Sequence, residues 1–431
     1  MGRYSNNSNK DFELKKYTVI LTMIIGFMAT WEWDYIMDVL SITMSNTTFW
    51  YFIIIAIGAS FVNFFNSRKD VLIREMVLQI FGLFFLTMIT FYFFFDMSNL
   101  KDKAVFNSSI KEILHEEAYT EEYQEEVCSG SGDNRSCHYE TRTRRVPDKY
   151  YLTTNDGDTV YLNHGHWGSY TMKYHNQYEE KVYRSSQTSY SRALGEGDIW
   201  HIIPTDIRPT SVEHKVVNYI KLSTKTLHNK GIKSSEKKMN EILDYPDTFD
   251  NGYGEIDFNR ILTGKNVDLN NTSLLNNKIN KLLAKYGKKL EVNIIIYLTR
   301  NESQSFVKQV EKKWITWKKN DVVIFIDTDD TGKYNWVKIE AFTHNSLFKV
   351  ELRDSIFLSN IWDINKVYSA IEKQLKVKKS EPNGFSRTSM EEYRYLINEV
   401  EISGWWWFIF IILSLSFNIG ISLYVKHNKY R

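Results

Sequence analysis

The densest run of side chains able to do chemistry is Asp327-Thr328-Asp329-Asp330-Thr331-Gly332. Oxygen donors at alternate positions, followed by a glycine, can wrap a hard cation such as Ca²⁺ or Mg²⁺. The position that should supply a bidentate glutamate carries Lys338, so a polar turn between two strands competes with the cation-loop reading. His164 and His166 fall on one face of an expected strand, with His175 beyond them; no third ligand stands at zinc-motif spacing, and surface histidines are the simpler account. His115-Glu116-Glu117 lacks the second histidine of a zinc-protease helix. The sequence also contains no phosphate-cradling P-loop, no Gly-X-Ser-X-Gly nucleophile elbow and no dinucleotide glycine fingerprint. Glu32, Asp34 and Asp38 could gather a proton or cation, or simply form a solvated loop.

The elements that must position these groups follow from periodicity. Leu274, Leu275, Ile279, Leu282, Leu283 and Tyr286 recur at helical spacing, with Gly287 as an expected stop. Val292 to Leu298 is a β-branched run, as in a strand covered on both faces. A helix capped by Ser303 or Ser305 is expected to present Phe306, Val310, Trp314 and Trp317. Strands at Val322–Ile326, Tyr334–Ala341 and Phe348–Leu352 and a helix from Asp363 to about Leu375 complete the order αβαβββα. Upstream, residues 98 to 120 read as a polar helix or connector, and Lys149 to Pro204 carries strand and turn chemistry. Ser389 and Glu392 have capping-box spacing for a last helix.

Four apolar windows, Tyr17–Trp33, Phe49–Phe65, Met76–Phe95 and Trp405–Val425, predict four transmembrane helices. Lys and Arg placement puts both termini in the cytoplasm and residues 97–403 outside it. Trp31, Trp33, Trp50, Trp405, Trp406 and Trp407 would lie at the membrane interface. Cys128 and Cys137 are the only cysteines and suit one disulfide in an oxidising compartment, closing a hairpin in which Glu121, Glu122, Glu125 and Glu126 face Arg142, Arg144 and Arg145. With 54 Lys+Arg against 52 Asp+Glu, the net charge of +2 argues against nucleic acid as a partner. The expected domains are 1–96 (three membrane helices), 97–268 (a β-rich exported region), 269–380 (α/β) and 381–431 (connecting helix, fourth span and basic tail).

Two resemblances add to this. The order of elements from Leu274 to Leu375, with Trp314 before Lys318-Lys319-Asn320-Asp321 and the apolar strand after it, resembles the TPM domain. That likeness implies an α/β/α sandwich, exported and membrane-tethered. It also implies that Asp327, Asp329, Asp330 and Asp354 could hold a divalent ion, as in a metal-dependent phosphatase. Thr343-His344-Asn345-Ser346-Leu347 stands where many TPM domains carry a Gly-Tyr-Gly-Leu-Glu-like segment, which weakens that transfer. The Cys128–Cys137 segment, with Asn218-Tyr219-Ile220-Lys221 and Leu352-Arg353-Asp354, resembles a family of uncharacterised membrane proteins of large tailed bacteriophages. It implies a bacterial inner membrane and a periplasmic insert. The leading expectation is a binding or assembly role toward a protein or envelope partner at the lipid bilayer, and the alternative is the phosphatase.

Overall fold

Apolar residues and strand-forming residues are segregated along the chain, and each kind builds its own layer in the computed structural model. It describes residues 40–44, 46–66, 73–97, 101–129, 136–162, 179–182, 191–194, 199–204, 206–222, 240–251, 255–399 and 404–429. Helices α1 (Thr47–Asn66) and α2 (Ile73–Met97) come first. Next comes β1 (Lys101–Glu116), a long strand where the sequence predicts a polar helix or connector. Val105, Ile110, Ile113 and Leu114 are buried along it, and non-local partners decide its state.

Those partners form one six-stranded sheet around β1. Its first half pairs antiparallel with β9 (Pro209–Val217). Its second half lies between β4 (Lys149–Thr154) and β8 (Ile199–Ile202), with the short strands β5 (Thr159–Tyr161) and β6 (Glu179–Val182) outside them. A separate sheet has the order β3-β2-β7, from Ser136–Val146, Tyr119–Ser129 and Ser191–Leu194. Cys128 and Cys137 are joined by a disulfide within the β2–β3 pair. A small ribbon, β10 (Thr248–Asp250) with β11 (Ile256–Phe258), precedes the α/β region.

There the sheet order is β12-β13-β14-β15, from Ile261–Thr263, Asn293–Arg300, Asp321–Thr328 and Tyr334–Ala341. The first three strands are parallel and β15 is antiparallel to β14. Alternation assigns each side chain to one of two cores. Ile294, Ile296, Leu298, Val322, Ile324 and Ile326 face helices α3 (Thr272–Leu290), α5 (Ser346–Phe357) and α6 (Ile364–Leu375). Ile295, Tyr297, Val323 and Phe325 face α4 (Ser305–Lys313), Trp314 and Trp317. Phe348–Leu352, expected as a strand, lies in α5; Phe348 and Leu352 are buried one helical turn apart. Helix α3 runs past Gly287 and ends with Glu291 in the left-handed conformation. Asp363 caps α6 by accepting from the backbone N–H groups of Asn365 and Lys366. β12 joins this sheet although it lies before residue 269, because its partner β13 is parallel and non-local.

The structure does not carry four transmembrane helices among its described residues. Among the described residues, only α7 (Gly404–Lys429) carries a stretch, Gly404–Ile421, long and apolar enough to cross a bilayer. The apolar portions of α1 and α2 are Thr48–Gly58 and Gln79–Phe94. At ~1.5 Å per residue they reach roughly 17 and 24 Å, short of the ~30 Å of hydrocarbon. The window Tyr17–Trp33, including Trp31 and Trp33, lies outside the described residues, as do Glu32, Asp34 and Asp38. Helices α1, α2 and α7 pack through aromatic rings: Phe52 stacks on Trp407 at 3.9 Å and meets Phe91 and Phe410 edge-on. Trp406 meets Phe94 edge-on, whereas Trp50 and Trp405 are exposed. Tyr219, Ile220, Met390 and Ile397 extend this cluster into the folded region, and Asn46 Nδ2 donates to the Ile397 carbonyl.

Buried charge fastens β1 to the α/β sheet. Asp102 accepts from Lys318 Nζ and from Asn218 Nδ2, with Lys221 Nζ at 3.5 Å. Asn320 Nδ2 donates to the Val105 carbonyl at 2.7 Å. Asp102→Ala should leave two lysines without their carboxylate and destabilise the protein by about 3 kcal/mol. Thermal or urea unfolding in detergent checks this, and a loss under ~1 kcal/mol would show that the fastening lies elsewhere.

Candidate functional site

The parallel strands β12 and β13 place their carboxyl ends side by side, the usual position of a ligand crevice in an open α/β sheet. A cavity of about 60 Å³ lies there, space for a few waters or one small polar group. Gly264 sits at the end of β12, where its N–H donates to the Leu298 carbonyl at 2.8 Å. A Cβ on Gly264 would stand 3.1 Å from that same oxygen, so glycine lets the two strand ends close up.

The crevice carries charge of both signs. Lys265 and Glu241, an exposed pair at 3.4 Å, stand on one side, and Thr299, Arg300 and Glu302 at the end of β13 on the other. Arg300 Nε is buried with no hydrogen-bond partner among the described residues. A guanidinium N–H left in this state costs free energy that a hydrogen-bond acceptor in the crevice would offset. Phe306 supplies an apolar wall, and Tyr297, whose hydroxyl accepts from the Leu243 N–H, stands behind it. Burial raises the Tyr297 phenol above its ordinary range, so it stays neutral.

The acidic residues expected to hold a divalent ion are not brought together. Asp327 is fully buried at the end of β14 and accepts from Thr299 Oγ1, the Glu302 N–H and Asn335 Nδ2. Its lone pairs are committed to tying β13, the loop after it and β15 to one another. Asp329 folds back on its own turn, accepting from Thr331 and from the Lys333 N–H. The Thr331 hydroxyl leads the interactions that hold its carboxyl below the usual range. Gly332 adopts φ +80° there, which explains the glycine as a turn requirement. Asp330 is exposed in the same turn, and Asp354 lies on α5, ion-paired with Arg353. These positions do not fit a shared Ca²⁺ or Mg²⁺ site. One group among the described residues brings three potential ligands within 4.8 Å, Glu126 with Cys128 and Cys137, and both sulfurs are consumed by the disulfide. His164, His166 and His175 lie outside the described residues.

At the opposite ends of the strands lies a buried polar centre with no sequence motif. Arg260 is wholly inaccessible; its guanidinium donates to Asn280, Asn293, Asn107 and the Ile294 carbonyl, and it lies over the Phe258 ring. Asn293 in turn donates to Asp321 Oδ1, which also accepts from the Tyr245 hydroxyl. Asn293 thus links the guanidinium to the Asp321 carboxylate. Burial lowers the Arg260 pKa to about 9 and raises that of Asp321 to about 6. A lone Arg before a short strand carries no signal in one dimension, and Asn320-Asp321 reads there as a turn before a strand, not as part of a buried centre.

No family model matches the chain, and no curated protein or solved structure matches it.

Asp321 makes stability depend on pH in a stated direction. Its folded pKa, about 6, exceeds the ~3.9 of an unfolded aspartate, so the folded state binds this proton more tightly. The contribution is complete below the unfolded value and is lost as pH rises through about 6. Asp321→Asn should therefore lose less stability than the parent as pH rises from about 4 to about 7. Melting curves across that range decide it, and parallel profiles would remove Asp321 as the titrating group.

Proposed function

We propose that this chain is a membrane-anchored binding protein that holds its β-rich region and α/β domain on the non-cytoplasmic face of a bacterial inner membrane. The observation that carries the reading is α7, an apolar helix with Trp405, Phe408, Ile411, Ile412, Leu415 and Ile419 exposed on its outside. So large an apolar surface is stable against lipid and costly against water. Lys426, Lys429 and Arg431 follow the apolar stretch, and basic residues favour the cytoplasmic end. The Cys128–Cys137 disulfide on the other side of α7 supports an oxidising compartment for what precedes it. The likeness to phage-encoded membrane proteins supports a bacterial host membrane.

In this reading the crevice between β12 and β13 is the recognition element of the α/β domain. It takes a small polar group, on a protein or an envelope component, that accepts from Arg300. The dispersed acids Asp327, Asp329, Asp330 and Asp354 favour binding over phosphate-ester hydrolysis.

The full chain should sediment with bacterial membranes and resist alkaline extraction, and a chain ending before Gly404 should be released. Equal retention of the shortened chain would remove α7 as the anchor. A photocrosslinking residue at Lys265 should capture a partner in membranes, and Arg300→Ala should abolish that capture. Capture indifferent to Arg300 would remove the crevice from recognition.

A further inference from the structure

Strands β2 and β3 build a ribbon unlike the rest of the β-rich region. Among the described residues β7 pairs with Thr120–Tyr123 of β2, and from Gln124 to the disulfide the described ribbon has two strands. Every residue from Cys137 to Arg145 is exposed, Tyr139 at 69%. Among the described residues, no strand pairs with the outer edge of β3. Natural sheets blunt such an edge with charged side chains, proline or a bulge. β3 contains no proline, its register with β2 is unbroken from Val146 to Ser136, and its charges Glu140 and Arg142 are of opposite sign, so a copy in the right register can pair them.

The open edge has a defined phase. Cys128 and Cys137 are opposite each other with Cα atoms 4.0 Å apart, the close spacing of a non-hydrogen-bonded pair. Alternate residues counted from Cys137, namely Tyr139, Thr141, Thr143 and Arg145, therefore turn their N–H and C=O groups away from β2. The edge is also self-complementary. If two β3 strands run antiparallel about Thr141, then Thr141 faces its own copy, Tyr139 faces Thr143, and Glu140 faces Arg142 twice. Within one hairpin Glu140 stands directly opposite Glu125, a like-charge pair that Arg142 meets only diagonally, at 2.9 Å from Glu125 and 3.7 Å from Glu140. A second copy would set its Arg142 directly against Glu140.

We infer that the outer edge of β3 is a homodimer interface, in which a second copy of this chain pairs antiparallel about Thr141 to give a continuous β2-β3-β3-β2 sheet. The disulfide holds the ribbon in register before association, and a shared membrane confines both copies to one plane, which raises their effective concentration.

The test uses the full chain in membranes with Cys128–Cys137 intact. Thr141→Cys places two thiols across a hydrogen-bonded pair at ~5.5 Å between Cα atoms, within disulfide reach. Thr143→Cys places its two thiols four residues out of register, roughly 14 Å apart. Under mild oxidation Thr141→Cys should give at least about tenfold more covalent dimer than Thr143→Cys. In the Thr141→Cys background, Glu140→Arg should suppress the dimer and Glu140→Arg with Arg142→Glu should restore it. Equal crosslinking at 141 and 143, or no dimer at either, overturns the inference, as does a double charge swap that fails to restore crosslinking while its Cys128–Cys137 bond still forms.

Discussion

The placement of every other part depends on the buried carboxylate of Asp102, held between Lys318 and Asn218 at the start of β1. This residue follows almost directly on α2, so the first strand of the β-rich region is also the first to touch the α/β domain. A charge pair taken out of water gives little net stability over an apolar substitute, yet removing one member is costly. Such a pair is better at specifying a position than at adding stability. Asn107 and Asn320 act in the same way, one beneath the Arg260 guanidinium and the other against the Val105 carbonyl. Together they set β1 across the amino ends of β13 and β14.

The aromatic cluster of α1, α2 and α7 continues that fastening into the apolar helices. Its rings interlock edge to face around Phe52 and Phe91, while the opposite faces of the same helices remain apolar and exposed. Tyr219 and Ile220 follow β9, and Met390 and Ile397 precede α7; all four enter this cluster. The folded region is thus held against the helices from two directions, and α7 leaves it as a supported element.

Polar chemistry is divided between the two ends of the α/β sheet. The amino ends hold Arg260, Asn293 and Asp321 in a closed centre that serves cohesion. The carboxyl ends hold Arg300 and Lys265 beside a small open volume. Asp327 stands between these uses: its position at a strand end suggests chemistry, but three donors from β13, the loop after it and β15 have taken its oxygens. An acidic run in sequence says nothing about whether its carboxylates point the same way, and here Asp327 turns to Thr299, Glu302 and Asn335 while Asp329 turns to its own loop.

The sequence by itself determined what depends on local pattern. The run from Val292 to Leu298 is legible as a covered strand because both of its faces are apolar, and Tyr334–Ala341 because its neighbours are turn residues. The helix from Asp363 to Leu375 and the cysteine pair in the ribbon follow from short-range pattern as well. Only the tertiary structure decided that residues 101–116 are a strand, since β9, β4 and β8 supply its hydrogen bonds from far along the chain. It also decided that Phe348–Leu352 is helical, because burial of Phe348, Leu352 and Ile356 on one face outweighs β-propensity. Apolar content alone predicts four membrane crossings; among the described residues one helix, α7, has a continuous apolar stretch long enough for a crossing. The crevice at Arg300 and the centre at Arg260 were invisible in one dimension, because each is assembled from strands and helices that meet only in the folded chain.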